Sequence, residues 1–252
     1  MAVFRQKLLV RFAKRGDVRF ISHHDLMRLF ERACRRAQLP LRMSEGFNPR
    51  PRISFPLSLG TGYEGAEEVA EIQLTDWLAP GAAHDRLQAA MPTWPEEATG
   101  QAETPPPDRA AAGLVVRSVT PVDARRKAAV VGVTYRIECD AVGRLTERDL
   151  ERLLERDELV VERVRKGRTT TRDIGPYVRR LALAPGTAES PPALYADLRV
   201  TPNGTARPTE VLELLGAAPG EDAPAPRIVR ERVVLRGGPM PTDASVPWID
   251  RR

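Results

Sequence analysis

Leu26, Leu29, Phe30, Ala33 and Ala37 recur at spacings of three and four residues, and that single apolar stripe predicts an amphipathic helix over 23–38. Ser22 stands just before it with Asp25 three residues on, a carboxylate variant of the capping box, and Pro40 ends it. Next, Ile53, Phe55, Leu57 and Leu59 alternate with Arg52, Ser54, Pro56 and Ser58, which predicts a half-buried strand over 52–59. Pro56 inside that strand puts it at an edge or a bulge. Val69–Leu74 alternates as its antiparallel partner, and Lys7–Phe12 with Val18–Ile21 predicts two strands or one bent hairpin. A helix from Pro80 to Ala90 has its proline near the first turn. Residues 92–112 are rich in Pro, Glu, Ala and Thr and form a linker, and Leu114–Val119 is a further strand.

The second half repeats the order. Val130–Glu138 is a strand, and Thr146 caps a helix running to about Arg156, with Asp149 at its third position. Leu159–Arg165 and Ile174–Leu183 are strands either side of a basic turn, KGRTTTR. Ala193–Pro202 is a strand, Pro208–Leu215 a short helix and Ile228–Leu235 the last strand. The predicted fold is α+β: two tandem ferredoxin-like (β-α-β-β-α-β) units with antiparallel sheets. The first spans 1–120, the second 128–236, and residues 237–252 read as a frayed tail.

At 252 residues the chain is long enough for two cores. No apolar run approaches the 18 or so residues a membrane helix needs, and MAVFRQKLLV has charges inside its apolar run and no cleavage pattern. Cys34 and Cys139 lie far apart and suit reduced positions in a cytoplasmic protein better than a disulfide. Charge changes the picture more. Residues 1–60 hold 13 Arg and Lys against 4 Asp and Glu, a balance of +9 in a chain whose total is +5. A basic surface on an otherwise near-neutral protein is a phosphate-binding footprint, although Arg exceeds Lys throughout the chain, as a solvated arginine surface also would.

The basic residues fall in three places. Arg28, Arg32, Arg35 and Arg36 lie off the apolar stripe of the first helix. The loop SEGFNPRPR, with Gly46, Pro49 and Pro51 holding it open, has Arg42, Arg50 and Arg52 around Ser44, Phe47 and Asn48. Such a loop beside a helix start presents backbone N–H groups and guanidinium forks to phosphate, with Phe47 placed to stack a base. The turn with Lys166 and Arg168 is a second basic site. His23 and His24 occupy a helix's first turn, where the positive end of the macrodipole keeps imidazole neutral. Helix neighbours point about 100° apart, so the two cannot chelate one ion. No metal and no cofactor are predicted, and His23 is the one candidate acid or base. The chain has no Walker loop, Rossmann glycine fingerprint or nucleophile elbow.

RFISHHDLMR, RACRRAQLPL and SEGFNPRPRISF follow one another between Arg19 and Phe55. Together they closely resemble the opening of the radical-SAM-linked protein family. VERVRKGRTTTRDIGPYV resembles that family's basic hairpin leading into an Asp-x-x-Pro-Tyr motif, and NGTARPTEVLELLG its Arg-Pro-containing final helix. His24 departs from the pattern, which usually has Leu there. The resemblance implies a partner: a cobalamin-binding radical SAM protein, fused to members of the family or encoded beside them. The resemblance also leans toward RNA, since that family's gene neighbourhood often includes ribonuclease and ribosomal-protein genes. The chain is not the radical enzyme itself, since two distant cysteines cannot supply three clustered thiolates for an iron–sulfur cube.

Three function classes follow. The first is an accessory protein that binds RNA or another anionic substrate for a radical SAM enzyme. The second is a metal-independent ribonuclease with His23 as acid or base, an analogy at the level of fold. The third is a protein–protein adaptor whose basic face meets an acidic partner.

Overall fold

In a computed structural model, the alternation of Leu8, Val10 and Phe12 becomes strand β1, Gln6–Arg15. The structure describes residues 4–92, 113–165, 167–188, 190–220, 222–238 and 246–251. The chain divides into two units, Met1–Ala129 and Val130–Arg252. Its fold is α+β, with four α-helices among the described residues and antiparallel strand pairing. No helix among those residues is long and apolar enough to cross a membrane.

In the first unit, β1 is followed by helix α1 (His23–Arg36), strand β2 (Ile53–Ser54), strand β3 (Glu64–Leu74), helix α2 (Pro80–Ala90) and strand β4 (Gly113–Val122). The strands lie in the order β2-β3-β1-β4, each pair antiparallel. Leu8, Val10 and Phe12 of β1 and Ala70, Ile72 and Leu74 of β3 bury one sheet face under Leu26, Phe30 and Cys34 of α1 and Leu87 of α2. Phe12, Phe30 and Phe55 form the aromatic centre of that core, with centroids 4.7–5.9 Å apart. On the other face Lys7 and Glu71 form a buried ion pair, Nζ to Oε1 2.6 Å. Such a pair is tolerated only when its remaining valences are used. Lys7 also donates to the Arg126 carbonyl, while Glu71 accepts from Ser54 Oγ and the Ala128 N–H.

Two expected strands are corrected here. Gly16–Phe20 is a 3-10 turn. Gly16, at φ 70°, breaks out of the ladder, and the buried Lys14 ammonium donates to the carbonyls of Arg19 inside that turn and Ile21 just after it. The strand expected over 52–59 is only Ile53–Ser54, because Pro51 and Pro56 on either side have no N–H to give to a ladder. The linker expected over 92–112 lies, apart from Pro92, outside the described residues.

In the second unit the elements are β5 (Val130–Glu138), α3 (Glu147–Leu154), β6 (Val160–Arg165), β7 (Arg168–Asp173), β8 (Val178–Ala184), β9 (Ala193–Arg199), α4 (Pro208–Leu214), β10 (Arg227–Leu235) and β11 (Ile249–Asp250). The sheet order is β11-β8-β9-β5-β10, antiparallel throughout. Strands β6 and β7 form a separate hairpin. The basic turn expected at KGRTTTR is therefore mostly strand. Its three threonines are β-branched and pair with Glu162, Arg163 and Val164. The stretch expected as a frayed tail from Gly237 is also corrected: its described end docks. Ile249 pairs with Leu181, the Arg180 guanidinium lies 4.2 Å from the Trp248 ring, and Arg251 donates to the Arg156 and Asp157 carbonyls.

Candidate functional site

The basic loop is a hairpin. The Arg42 N–H donates to the Gln73 carbonyl at 2.8 Å, Arg52 N–H to the Arg42 carbonyl at 2.8 Å, and Gln73 N–H to the Arg52 carbonyl at 3.0 Å. One step out, Ser44 N–H donates to the Arg50 carbonyl at 2.7 Å, and Ser44 Oγ accepts the Arg50 N–H at 2.9 Å. Residues 41–52 thus stand as a narrow ribbon on the edge of β3, turning at Gly46, whose φ of 121° suits glycine. The expectation of an open loop offering amides to phosphate is corrected for Ser44, Arg50 and Arg52, whose N–H groups are used within the ribbon. Ser44 is a structural latch.

What the ribbon displays is its side chains. Phe47 at the tip is fully exposed, at 106% of its reference area. Asn48, Arg50 and Arg52 are exposed, and neither guanidinium has a hydrogen bond or ion pair among the described residues. Arg42 differs. It donates to Gln73 Oε1 at 3.2 Å, and its guanidinium lies 5.3 Å from the Phe4 ring.

Helix α1 carries the second set. Ser22 Oγ accepts the Asp25 N–H at 3.2 Å and donates to Asp25 Oδ2 at 2.7 Å, so Asp25 is part of the cap. Arg28 bridges back to Asp25 at 3.5 Å. Arg32, Arg35 and Arg36 are exposed, with no ion pair among the described residues. The last two also complement the carbonyl end of the helix. His23 is half-buried, its ring edge-on to Phe55 at 5.6 Å. Burial first, then the charges of His24 and Lys14, hold it below the usual histidine range. Burial thus leads the causes of that lowering, where the sequence alone points to the macrodipole. No three His, Cys, Asp or Glu side chains come together as a metal site among the described residues.

Of the second basic site, Lys166 lies outside the described residues, and Arg168 is exposed beside Gly167, whose φ is 74°. Its neighbours turn inward. Arg163 donates to both oxygens of Glu210 and to the Thr205 carbonyl. Arg172 donates to Tyr177 Oη and to the Asn203 carbonyl, with Gly204 so close that a Cβ there would meet the guanidinium at 3.0 Å. Asp173 Oδ1 accepts the N–H groups of Leu159 and Gly175, both at 2.8 Å. The Asp-x-x-Pro-Tyr stretch and the α4 start are therefore the fastening of the β6–β7 hairpin. Sequence reading singled out these motifs without that role, because Arg163 and Glu210 are 47 residues apart.

Arg42, Arg50 and Arg52 share one ribbon, and Arg28 and Arg32 share one helix of the same unit. Arg168 belongs to the other unit. Residues 7–96, from β1 past the end of α2, match a family described as uncharacterised proteins conserved in bacteria, DUF2344. No curated protein matches the chain.

Proposed function

We propose that the chain is a cytoplasmic accessory protein that binds RNA, or a similarly anionic substrate, for a partner radical SAM enzyme, and that it contributes binding rather than a reaction. The observation that carries the ligand is the ribbon at 41–52. The N–H groups of Arg42, Ser44, Arg50 and Arg52 are engaged within its ladder, yet the side chains of Arg50, Arg52 and Phe47 are exposed with no partner among the described residues. Exposed cations beside an exposed ring are what phosphates and an unpaired base require. The radical SAM partner rests on the resemblance of the motifs between Arg19 and Phe55. We read each unit as ferredoxin-like. The antiparallel order β2-β3-β1-β4, and β8-β9-β5-β10 with the β6–β7 hairpin inserted after α3, support that reading.

The test is RNA affinity at several salt concentrations for wild type, Arg50→Ala, Arg52→Ala and Phe47→Ala. Each arginine removed should reduce the salt slope by about one unit. Phe47→Ala should weaken binding by roughly 1–3 kcal/mol with the slope unchanged. Wild-type binding that is absent, or indifferent to salt, overturns the nucleic-acid reading and leaves the adaptor.

A further inference from the structure

The turn after β3 displays a tryptophan. Trp77 is 68% exposed, although an indole carries one of the largest apolar areas of any side chain. Nothing about the turn is loose. Thr75 N–H and Oγ1 both donate to the Pro40 carbonyl, at 2.8 and 3.2 Å, and the Trp77 N–H donates to Asp76 Oδ1 at 2.8 Å. The Leu78 N–H donates to Gln6 Oε1 at 2.8 Å while Gln6 Nε2 donates to the Leu78 carbonyl at 3.0 Å. Gln6 is itself buried, so its amide is a fixed clamp. The backbone on both sides of Trp77 is thereby held, and the ring stays out.

The turn also lies at the root of the basic ribbon. Pro40, which takes both Thr75 hydrogen bonds, directly precedes Leu41, which bridges to Leu74 at the end of β3. Arg42 next to it holds its guanidinium over Phe4. Trp77 thus marks the base of the ribbon and Phe47 its tip, with Arg42, Arg50 and Arg52 between. At about 3.3 Å per residue, the chain from Arg42 to Phe47 spans at most ~17 Å, room for a short run of nucleotides.

We propose that Trp77 is a base-stacking platform paired with Phe47, and that the ligand of this surface is single-stranded RNA with unpaired bases. The inference rests on the RNA reading above and narrows it. Arginines alone fit any polyanion, including duplex RNA. Exposed rings at both ends of a cationic ribbon fit only a strand whose base faces are free, because a duplex keeps those faces stacked inside.

Fluorescence anisotropy tests it with a single-stranded 12-mer of uridine and a blunt RNA duplex of the same length, on the full chain. Wild type should prefer the single strand. Trp77→Ala should lose between about 5- and 150-fold in affinity for it, with an unchanged salt slope and an unchanged melting temperature, and Trp77→Phe should recover most of the loss. Arg50→Ala should instead change the slope. Trp77→Ala binding like wild type, equal or tighter duplex binding, or a loss that Trp77→Phe does not recover, overturns the stacking role. Salt-dependent, Arg50-sensitive binding in those cases leaves the anion reading standing. Wild-type binding to neither RNA overturns both, and a Trp77→Ala defect seen only in binding a radical SAM protein assigns the ring to a protein contact.

Discussion

Arg163 grips Glu210 with two hydrogen bonds, Nε to Oε1 at 2.6 Å and Nη2 to Oε2 at 3.0 Å, and so ties the β6–β7 hairpin to the first turn of α4. An isolated two-stranded hairpin is marginal in water. This one is fastened at a second arginine as well, Arg172, which donates to Tyr177 Oη and the Asn203 carbonyl. The hydrogen bond to Glu210 also raises the Arg163 pKa above its ordinary value.

Arg163→Ala should therefore be costly. Glu210 is only 5% exposed, and its other polar contacts among the described residues are the Arg207 N–H and a long ion pair to Arg207 Nε at 3.9 Å, so truncating Arg163 leaves a nearly buried carboxylate with one distant cation. Breaking such a pair costs roughly 3–5 kcal/mol, whereas replacing both members by apolar residues of similar volume is close to neutral. Urea unfolding of Arg163→Ala beside the Arg163→Met, Glu210→Leu double variant checks this, with the double variant the more stable of the two.

That pair also explains what sequence reading reached and what it missed. The α1 stripe, its Ser22 cap and the Pro80–Ala90 helix were legible because their signals are local: a 3.6-residue period, a hydroxyl before it, a proline in the first turn. Strand β7 was not legible, since Thr169–Thr171 next to Lys and Arg has the polarity of a turn and becomes strand only by pairing with β6. The closing contacts of β11 were hidden for a similar reason. Val246 and Trp248 stand among Pro, Asp and Arg, and no periodicity develops over so short a stretch. At the candidate site, the arginines could be named from charge density. Which of them are occupied could not, because Gln73, which takes Arg42, is 31 residues away.

A pH dependence follows from the cap of α3. Asp149 lies below the usual carboxylate range, chiefly because the Thr146 hydroxyl donates to it, at 2.6 Å, and then because the Thr146 N–H does, at 2.9 Å. A depressed folded pKa means that the ionised cap stabilises the fold above the unfolded value, near 3.9, and that this contribution is lost as pH falls through the folded value. Asp149→Ala should be less stable than wild type at pH 7. The gap should close toward acid, as thermal unfolding from pH 7 to pH 2 would show; a gap independent of pH contradicts the charged cap.

Cys34 should be inert. It sits in the core face of α1, where burial, helped by the Glu31 charge, pushes its thiol up to about 12. At pH 8 its thiolate fraction is then roughly one part in ten thousand, and the thiolate is the reactive form. A maleimide mapped by peptide mass spectrometry should label Cys34 only under denaturing conditions. Labelling in the native state at a rate similar to that of a free thiol would show that α1 opens locally.

The three ribbon arginines should separate into two kinds. Arg50 and Arg52 have no partner among the described residues, so neither breaks a contact there on meeting a phosphate, and the removal of each should reduce the salt slope of RNA binding by about one unit. Arg42 is already engaged with Gln73 and Phe4. Its substitution by Ala removes packing at the base of the ribbon as well as charge, so it should lower the melting temperature while changing the slope by less than one. A Gln73→Ala variant separates the two effects, because it releases Arg42 without removing its charge. If Gln73→Ala steepens the salt slope, the freed guanidinium has found a phosphate; if it leaves the slope alone and only lowers stability, Arg42 is a structural post that holds Arg50, Arg52 and Phe47 in place.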